Sequence, residues 1–380
     1  MLKKFTVSNY RVFENPITID FTNVRDYKFN EECIRNGLIN KAIIYGGNAV
    51  GKTSLREAIL DVTMMIPAVL SNGISLKLAL AKNAGFLNAK SNKEVARFEY
   101  IFQIAGSEIE YVYEKSSVNK IHLESLKVDG KLIYELNFEI GKGDFSEFQN
   151  YPELALLNID SWNDDISVLK YILSHTKLEK FTILKELHIF IEGMFNSEVM
   201  LGEVSVEIFT SYIIEKNLAS DFEKFLKEAG VDVSLKIDTT LQGEKELFFD
   251  YGKGNKLLKF LDYASSGTLS LVGLYFSKLL NPTFIYIDEF DANFHFGISK
   301  VMLEKLKENT DCQTIITTHN TDLMSNKYMR PDCYLLMSKN GILNLADATK
   351  RELRQGHNLE NLYQAGEFNE LISRIGVKDE

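Results

Sequence analysis

The chain has 380 residues, 45% hydrophobic and 25% charged, which is ordinary globular composition with room for one large domain or two to three smaller ones. Its formal net charge of −10 argues against a protein that lives on non-specific contact with the nucleic-acid backbone, although a local basic face is compatible with that total. The odd, scattered Cys33, Cys312 and Cys333 contain no CxxC pair, so they argue against a disulfide scaffold or zinc site and fit free thiols in a reducing cytosol.

In chain order, Lys3 to Ser8 alternates polar and apolar residues as a half-buried strand does, and Ile17 to Phe21 alternates again, which predicts a hairpin. Met1 to Val7 lacks the apolar stretch of a secretory signal. Residues 22–40 read as an irregular polar connection. The apolar run Ala42 to Tyr45 then leads into Gly46-Gly47-Asn48-Ala49-Val50-Gly51-Lys52-Thr53 and a helix from Ser54 to Ile66. Pro67 and Asn72-Gly73 mark breaks, and a Lys- and Ala-rich stretch follows over 74–94. Val95–Ile104, Glu108–Lys115 and Lys120–Val128 read as an antiparallel meander punctuated by Ala105-Gly106-Ser107 and Asp129-Gly130. Helical spacing dominates from 151 to 230, without a sustained heptad repeat, so a long coiled-coil arm is not expected. Val231–Ile237 and Leu247–Tyr251 read as returning strands. The most apolar region, Leu269 to Ile287, is broken by Ser270, Ser277, Lys278, Asn281 and Pro282, and reads as a helix and a strand rather than a membrane span. A cytoplasmic protein is expected.

Four constellations carry chemistry. Strand, glycine loop, Lys-Thr and helix form the arrangement that holds nucleotide phosphates: the glycines let backbone N–H groups converge on one anion, and the helix start adds unpaired donors and a positive dipole end. Gly46 to Ser54 is therefore the candidate phosphate site, with Lys52 for the β- and γ-phosphates of ATP and the Thr53 hydroxyl for Mg²⁺. The apolar run Phe284 to Ile287 ends in Asp288-Glu289. Opposite a phosphate loop, Asp288 would hold Mg²⁺ and Glu289 would orient the attacking water, whereas alone the pair reads equally as a solvated strand end. A second apolar run, Ile315 to Thr318, ends at His319, which is positioned to reach a γ-phosphate. Finally, Ser265-Ser266-Gly267-Thr268 opens a helix, and these residues serve equally as an N-cap or an anion site.

This order of motifs resembles the ABC-type ATPase head. Gly46-x-Asn48-x-x-Gly51-Lys52-Thr53, Asn9-Tyr10-Arg11-Val12-Phe13 and Asp288-Glu289-Phe290-Asp291-Ala292-Asn293-Phe294-His295 resemble the subgroup of RecF, chromosome-maintenance ATPases and OLD nucleases. The run Leu353 to Phe368 resembles a narrower group, stand-alone ATPases of bacterial abortive-infection and antiphage operons. The resemblance covers both ends of the chain well and residues 130–245 poorly. It implies an α/β P-loop fold: a discontinuous head over 1–130 and 231–380 with an antiparallel β subdomain, and a mainly helical lobe inserted over 131–230. It also implies a homodimer, or a larger homo-oligomer, with two ATP molecules between the copies. Gly46, Gly47, Asn48, Ala49, Val50, Gly51, Lys52, Thr53, Ser54, Asp288, Glu289 and His319 would act from one copy, and Ser266 and Gly267 from the other. Asp291 would lie at the seam, and Asn9 and Arg11 near the nucleotide. Gln103, the one tempting coupling glutamine, sits in a strand and is not assigned.

Ser-Ser-Gly-Thr in place of a transporter's Leu-Ser-Gly-Gly-Gln argues against a transporter, and Asn293-Phe294 replaces the usual Ser-Leu. About sixty residues follow His319, too few for an OLD-type nuclease domain of ordinary size. The expectation is a nucleotide-driven ATPase switch that controls a separate nuclease or toxin. The alternative is a RecF-like DNA-repair ATPase that grips nucleic acid.

Overall fold

The computed structural model describes residues 1–66, 85–157, 166–179, 181–196, 203–252, 255–290 and 296–374. The expected breaks at Pro67 and Asn72-Gly73, most of the Lys- and Ala-rich stretch, and Asp291 to His295 lie outside them.

A six-stranded sheet carries the glycine loop, in the order Met194–Asn196, Phe284–Ile287, Gln313–Thr317, Lys41–Gly46, Tyr334–Met337, Ile342–Asn344. The first five strands run parallel and only the last is antiparallel. Phe284–Ile287, Gln313–Thr317 and Tyr334–Met337 are buried at every position, which explains why none of them alternates polar and apolar residues: a parallel sheet covered on both faces has no solvated side to alternate with. The register sets Ile287 beside Ile316, Thr317 beside Ile44 and Gly46 beside Met337. The carboxyl ends of the Asp288, His319 and phosphate-loop strands therefore meet on one edge.

A second, seven-stranded sheet joins the N-terminal hairpin to the meander, with Leu2–Ser8 paired antiparallel to both Ile17–Asp20 and Ala96–Ile104. In Ala96–Ile104 burial alternates strictly, with Ala96, Phe98, Tyr100, Phe102 and Ile104 facing inward. The meander extends beyond the three expected strands. Lys131–Asn137 and Lys142–Asp144 continue it, and among the described residues the first α-helix of the inserted section is Val168–His175.

The helix Lys52–Met65 lies between the two sheets. Tyr286 donates from the six-stranded sheet to the Lys52 carbonyl at 3.1 Å, and Tyr100 donates from the meander to the Ala58 carbonyl at 2.7 Å. Buried Lys115 meets Asp61 of the same helix at 2.9 Å, with Tyr113 donating to Asp61 at 2.8 Å. At the other end of the core, Gln313 grips the backbone of Leu2 on both sides, at 2.8 and 3.0 Å, and so ties the two sheets together.

The section between the sheets folds as helices Val168–His175, Thr182–Glu192, Glu203–Glu215 and Ala219–Glu228. It also supplies Met194–Asn196, the edge strand of the six-stranded sheet. Leu235–Thr239, Lys245–Phe249 and Leu258–Lys259 form a separate three-stranded sheet ahead of the helix Ser266–Leu280. No helix of the described residues is long and apolar enough to cross a membrane.

Candidate nucleotide site

The glycine loop is shaped by close approach and by backbone geometry. A Cβ on Gly46 would meet the Met337 carbonyl oxygen at 2.7 Å, so the loop leaves the sheet where only glycine fits. Gly51 adopts a φ of 110°, and a Cβ there would meet the Phe13 ring at 2.6 Å and Val12 at 2.7 Å. The Asn9–Phe13 turn thus packs directly on the phosphate loop. Gly51 caps the helix without a side-chain acceptor, a helix start of the kind that suits an anion. Gly47, Asn48 and Ala49 form the exposed rim.

Four elements converge here. Lys52 Nζ donates to the carbonyls of Gly46 at 2.8 Å and Gly47 at 3.1 Å, and lies 3.1 Å from His319 Nε2. An ammonium only donates, so His319 Nε2 acts as the acceptor in this contact. Thr53 donates its hydroxyl to Asp288 Oδ2 at 2.7 Å, and Thr317 donates to Asp288 Oδ1. The Arg56 guanidinium lies 3.5 Å from Asp288 Oδ2, with the two side chains 4% and 7% exposed. Tyr286, fully buried, keeps its phenol well above the usual range: burial dominates, and the neighbouring Asp288 carboxylate adds to it. It is therefore a neutral donor to the Lys52 carbonyl. Glu289 follows at the strand end, exposed, with φ at 49° and its N–H donated to Thr317 at 2.9 Å.

The residues fit the groups that the sequence suggests. A lysine folded back on loop carbonyls beside an uncapped helix start matches a polyphosphate, and a hydroxyl and a carboxylate in contact supply the hard oxygen ligands of Mg²⁺. Sequence reasoning passed over Arg56, Thr317 and Tyr286. A charged residue on the buried face of the loop helix was the available signal for Arg56, and the Thr317-Thr318 pair ahead of His319 for Thr317.

The other candidates sit as follows. Asn9 is fully buried, with φ at 53° and its amide donated to the carbonyls of Lys93 and Val95 at 2.9 and 2.8 Å. Arg11 pairs with Glu57 of the loop helix at 2.7 Å; burial opposes its charge, but the bond to Tyr10 and the Glu57 carboxylate outweigh it. Ser266 is exposed and Gly267 half-buried at the start of their helix. Ser265, not Ser266, is the N-cap and accepts from Thr268 N–H at 3.1 Å. Gln103 stays within the strand Ala96–Ile104.

With this geometry in place, comparison identifies the family. The chain belongs to the family described as "AAA domain, putative AbiEii toxin, Type IV TA system", whose profile matches residues 41–325. No curated protein matches the chain. Among solved structures it is similar to the SMC head domain from Thermotoga maritima, at 15% identity and a TM-score of 0.44, covering 90% of this chain and 98% of that one. It is also similar to an SmcHead bound to the C-winged helix domain of ScpA, at 13% identity and a TM-score of 0.48, covering 92% and 99%.

Proposed function

We propose that the chain, a P-loop ATPase of this family, binds ATP with Mg²⁺ at Gly46–Ser54, hydrolyses it, and uses the bound γ-phosphate to hold two copies together. The observation that carries this reading is the hydrogen-bonded convergence of Lys52, Thr53, Asp288 and His319 on one edge of the parallel sheet. Lys52 exchanges the loop carbonyls for the β- and γ-phosphates. Thr53 and Asp288 hold Mg²⁺, which when bound neutralises charge on the phosphates. Glu289 accepts the proton of the attacking water, and His319 contacts the γ-phosphate. Asn9 and Arg11 buttress the loop from the N-terminal turn.

Ser266 and Gly267 complete the site from the second copy. The exposure of the Ser266 side chain at the start of its helix supports this. The γ-phosphate is then the differential contact between separate and joined states, which is what a switch requires. The controlled partner is a separate effector in an antiphage system, a reading that the family description, with its reference to a TA system, supports.

The test is nucleotide binding and turnover by the purified chain. Lys52→Ala is expected to abolish ATP binding. Glu289→Gln is expected to keep binding and lose turnover by a factor of about 10² or more, the usual contribution of a positioned general base. Turnover of Glu289→Gln at the unaltered rate would contradict the mechanism.

A further inference from the structure

Arg56 stands four residues after Lys52, on the buried face of the phosphate-loop helix, and is only 3% exposed. Its guanidinium faces Asp288 Oδ2, the same oxygen that accepts the Thr53 hydroxyl. An apolar residue would fill this position without the cost of desolvating a cation. Among the described contacts, the Asp288 carboxylate 3.5 Å away is a group on which this charge acts.

We propose that Arg56 is a positioning residue for the divalent-metal site: it holds the Asp288 carboxylate in place and, as a fixed positive charge beside it, weakens Mg²⁺ binding there until nucleotide phosphates add their own ligands. The inference rests on the reading of Gly46–Ser54 as an ATP site. Asp288 has its negative charge matched by Arg56, and both its oxygens are engaged, by Thr53 and Thr317. An arriving divalent cation meets a neutralised pair rather than a free carboxylate. Repulsion between a divalent ion and a guanidinium at such range is strong in a partly desolvated site. Mg²⁺ takes few protein ligands and relies on substrate phosphates for the rest. Metal and nucleotide then enter together, and the metal-free site stays assembled, with Thr53 and Arg56 of the helix joined to Asp288 of the sheet.

The test uses the full chain and two readouts that do not depend on turnover. The first is Mn²⁺ binding without nucleotide, followed by electron paramagnetic resonance. The second is the Mg²⁺ midpoint for binding a fluorescent ATP analogue. The charge-removing variants Arg56→Met and Arg56→Gln are expected to lower both midpoints by about tenfold. Arg56→Lys, which keeps the charge, is expected to stay near the unaltered values. In an Asp288→Asn background the neutral variants are expected to lower the Mg²⁺ midpoint by less than in the unaltered chain, because only the direct repulsion remains to be relieved. Unchanged or raised midpoints in a folded neutral variant would overturn the inference while leaving the ATP reading standing. Binding of the analogue that does not respond to Mg²⁺ in the unaltered chain would overturn the ATP reading, and this inference with it.

Discussion

Asp288 is held on both carboxylate oxygens by residues far away in the chain: Thr53 is 235 positions distant and Thr317 is 29. The phosphate loop itself was legible in the sequence, because wrapping an anion requires contiguous residues of particular kinds. Asp288-Glu289 and His319 were legible because each ends an apolar run. The contacts of Asp288 with Arg56 and Thr317 were not, since no local pattern links these residues before the sheet is folded. Gly46 and Gly47 look equivalent in sequence, yet the structure separates them. A Cβ on Gly47 meets only Val50, at 3.8 Å, whereas one on Gly46 meets a backbone carbonyl. Gly46→Ala is expected to cost about 1–3 kcal/mol by overpacking and Gly47→Ala clearly less, as measured by denaturant unfolding.

Lys41, at the base of the loop strand, gives a pH signature. It is 1% exposed and donates to the Asn309 carbonyl at 2.7 Å and to Thr314 at 3.1 Å, and burial pushes its pKa down to about 8 from the ordinary 10.5. The unfolded chain therefore binds more protons than the native one between those values, and native stability rises as the pH climbs from about 8 towards 10.5. The difference in unfolding free energy between the unaltered chain and Lys41→Met is expected to grow in favour of the lysine by about 2 kcal/mol between pH 7.5 and 9.5.

At the scale of elements, two connections decide how the inserted section is attached. Glu124 in the meander is fully buried and accepts from Tyr111, Tyr134, Ser167 and the N–H groups of Val168 and Leu169. Burial pushes its pKa up, and these donors work against that rise. The carboxylate thus seats the first turn of the helix Val168–His175, where a negative charge also suits the helix dipole. Glu124→Ala leaves several buried donors unmatched and is expected to cost about 3 kcal/mol, with faster amide hydrogen exchange in Val168–His175. The sequence showed the helices by their spacing. It did not show that Lys131–Asn137 extends the meander, because that strand shares polar Lys and Glu with the solvated edge of its sheet. Nor did it show that Met194–Asn196 joins the nucleotide-binding sheet: three residues are too few to display a period. That strand makes the inserted section a direct neighbour of the Asp288 strand.

For the whole molecule, the arrangement is a helix clamped between two sheets, with its uncapped end at the nucleotide edge. Buried contacts anchor that helix on both sides, through Tyr286 and through Tyr100 and the Lys115–Asp61 pair. Under the proposed function, the exposed Ser266 face is where a second copy joins the site. ATP-dependent pairing of two copies is read directly from the molar mass of Glu289→Gln in solution, measured by light scattering with and without ATP and Mg²⁺. The mass is expected to double from 43.4 kDa on adding ATP but not ADP, and the additional change Ser266→Arg to abolish the doubling. A mass that ATP leaves unchanged, in a variant that binds ATP, would contradict this pairing.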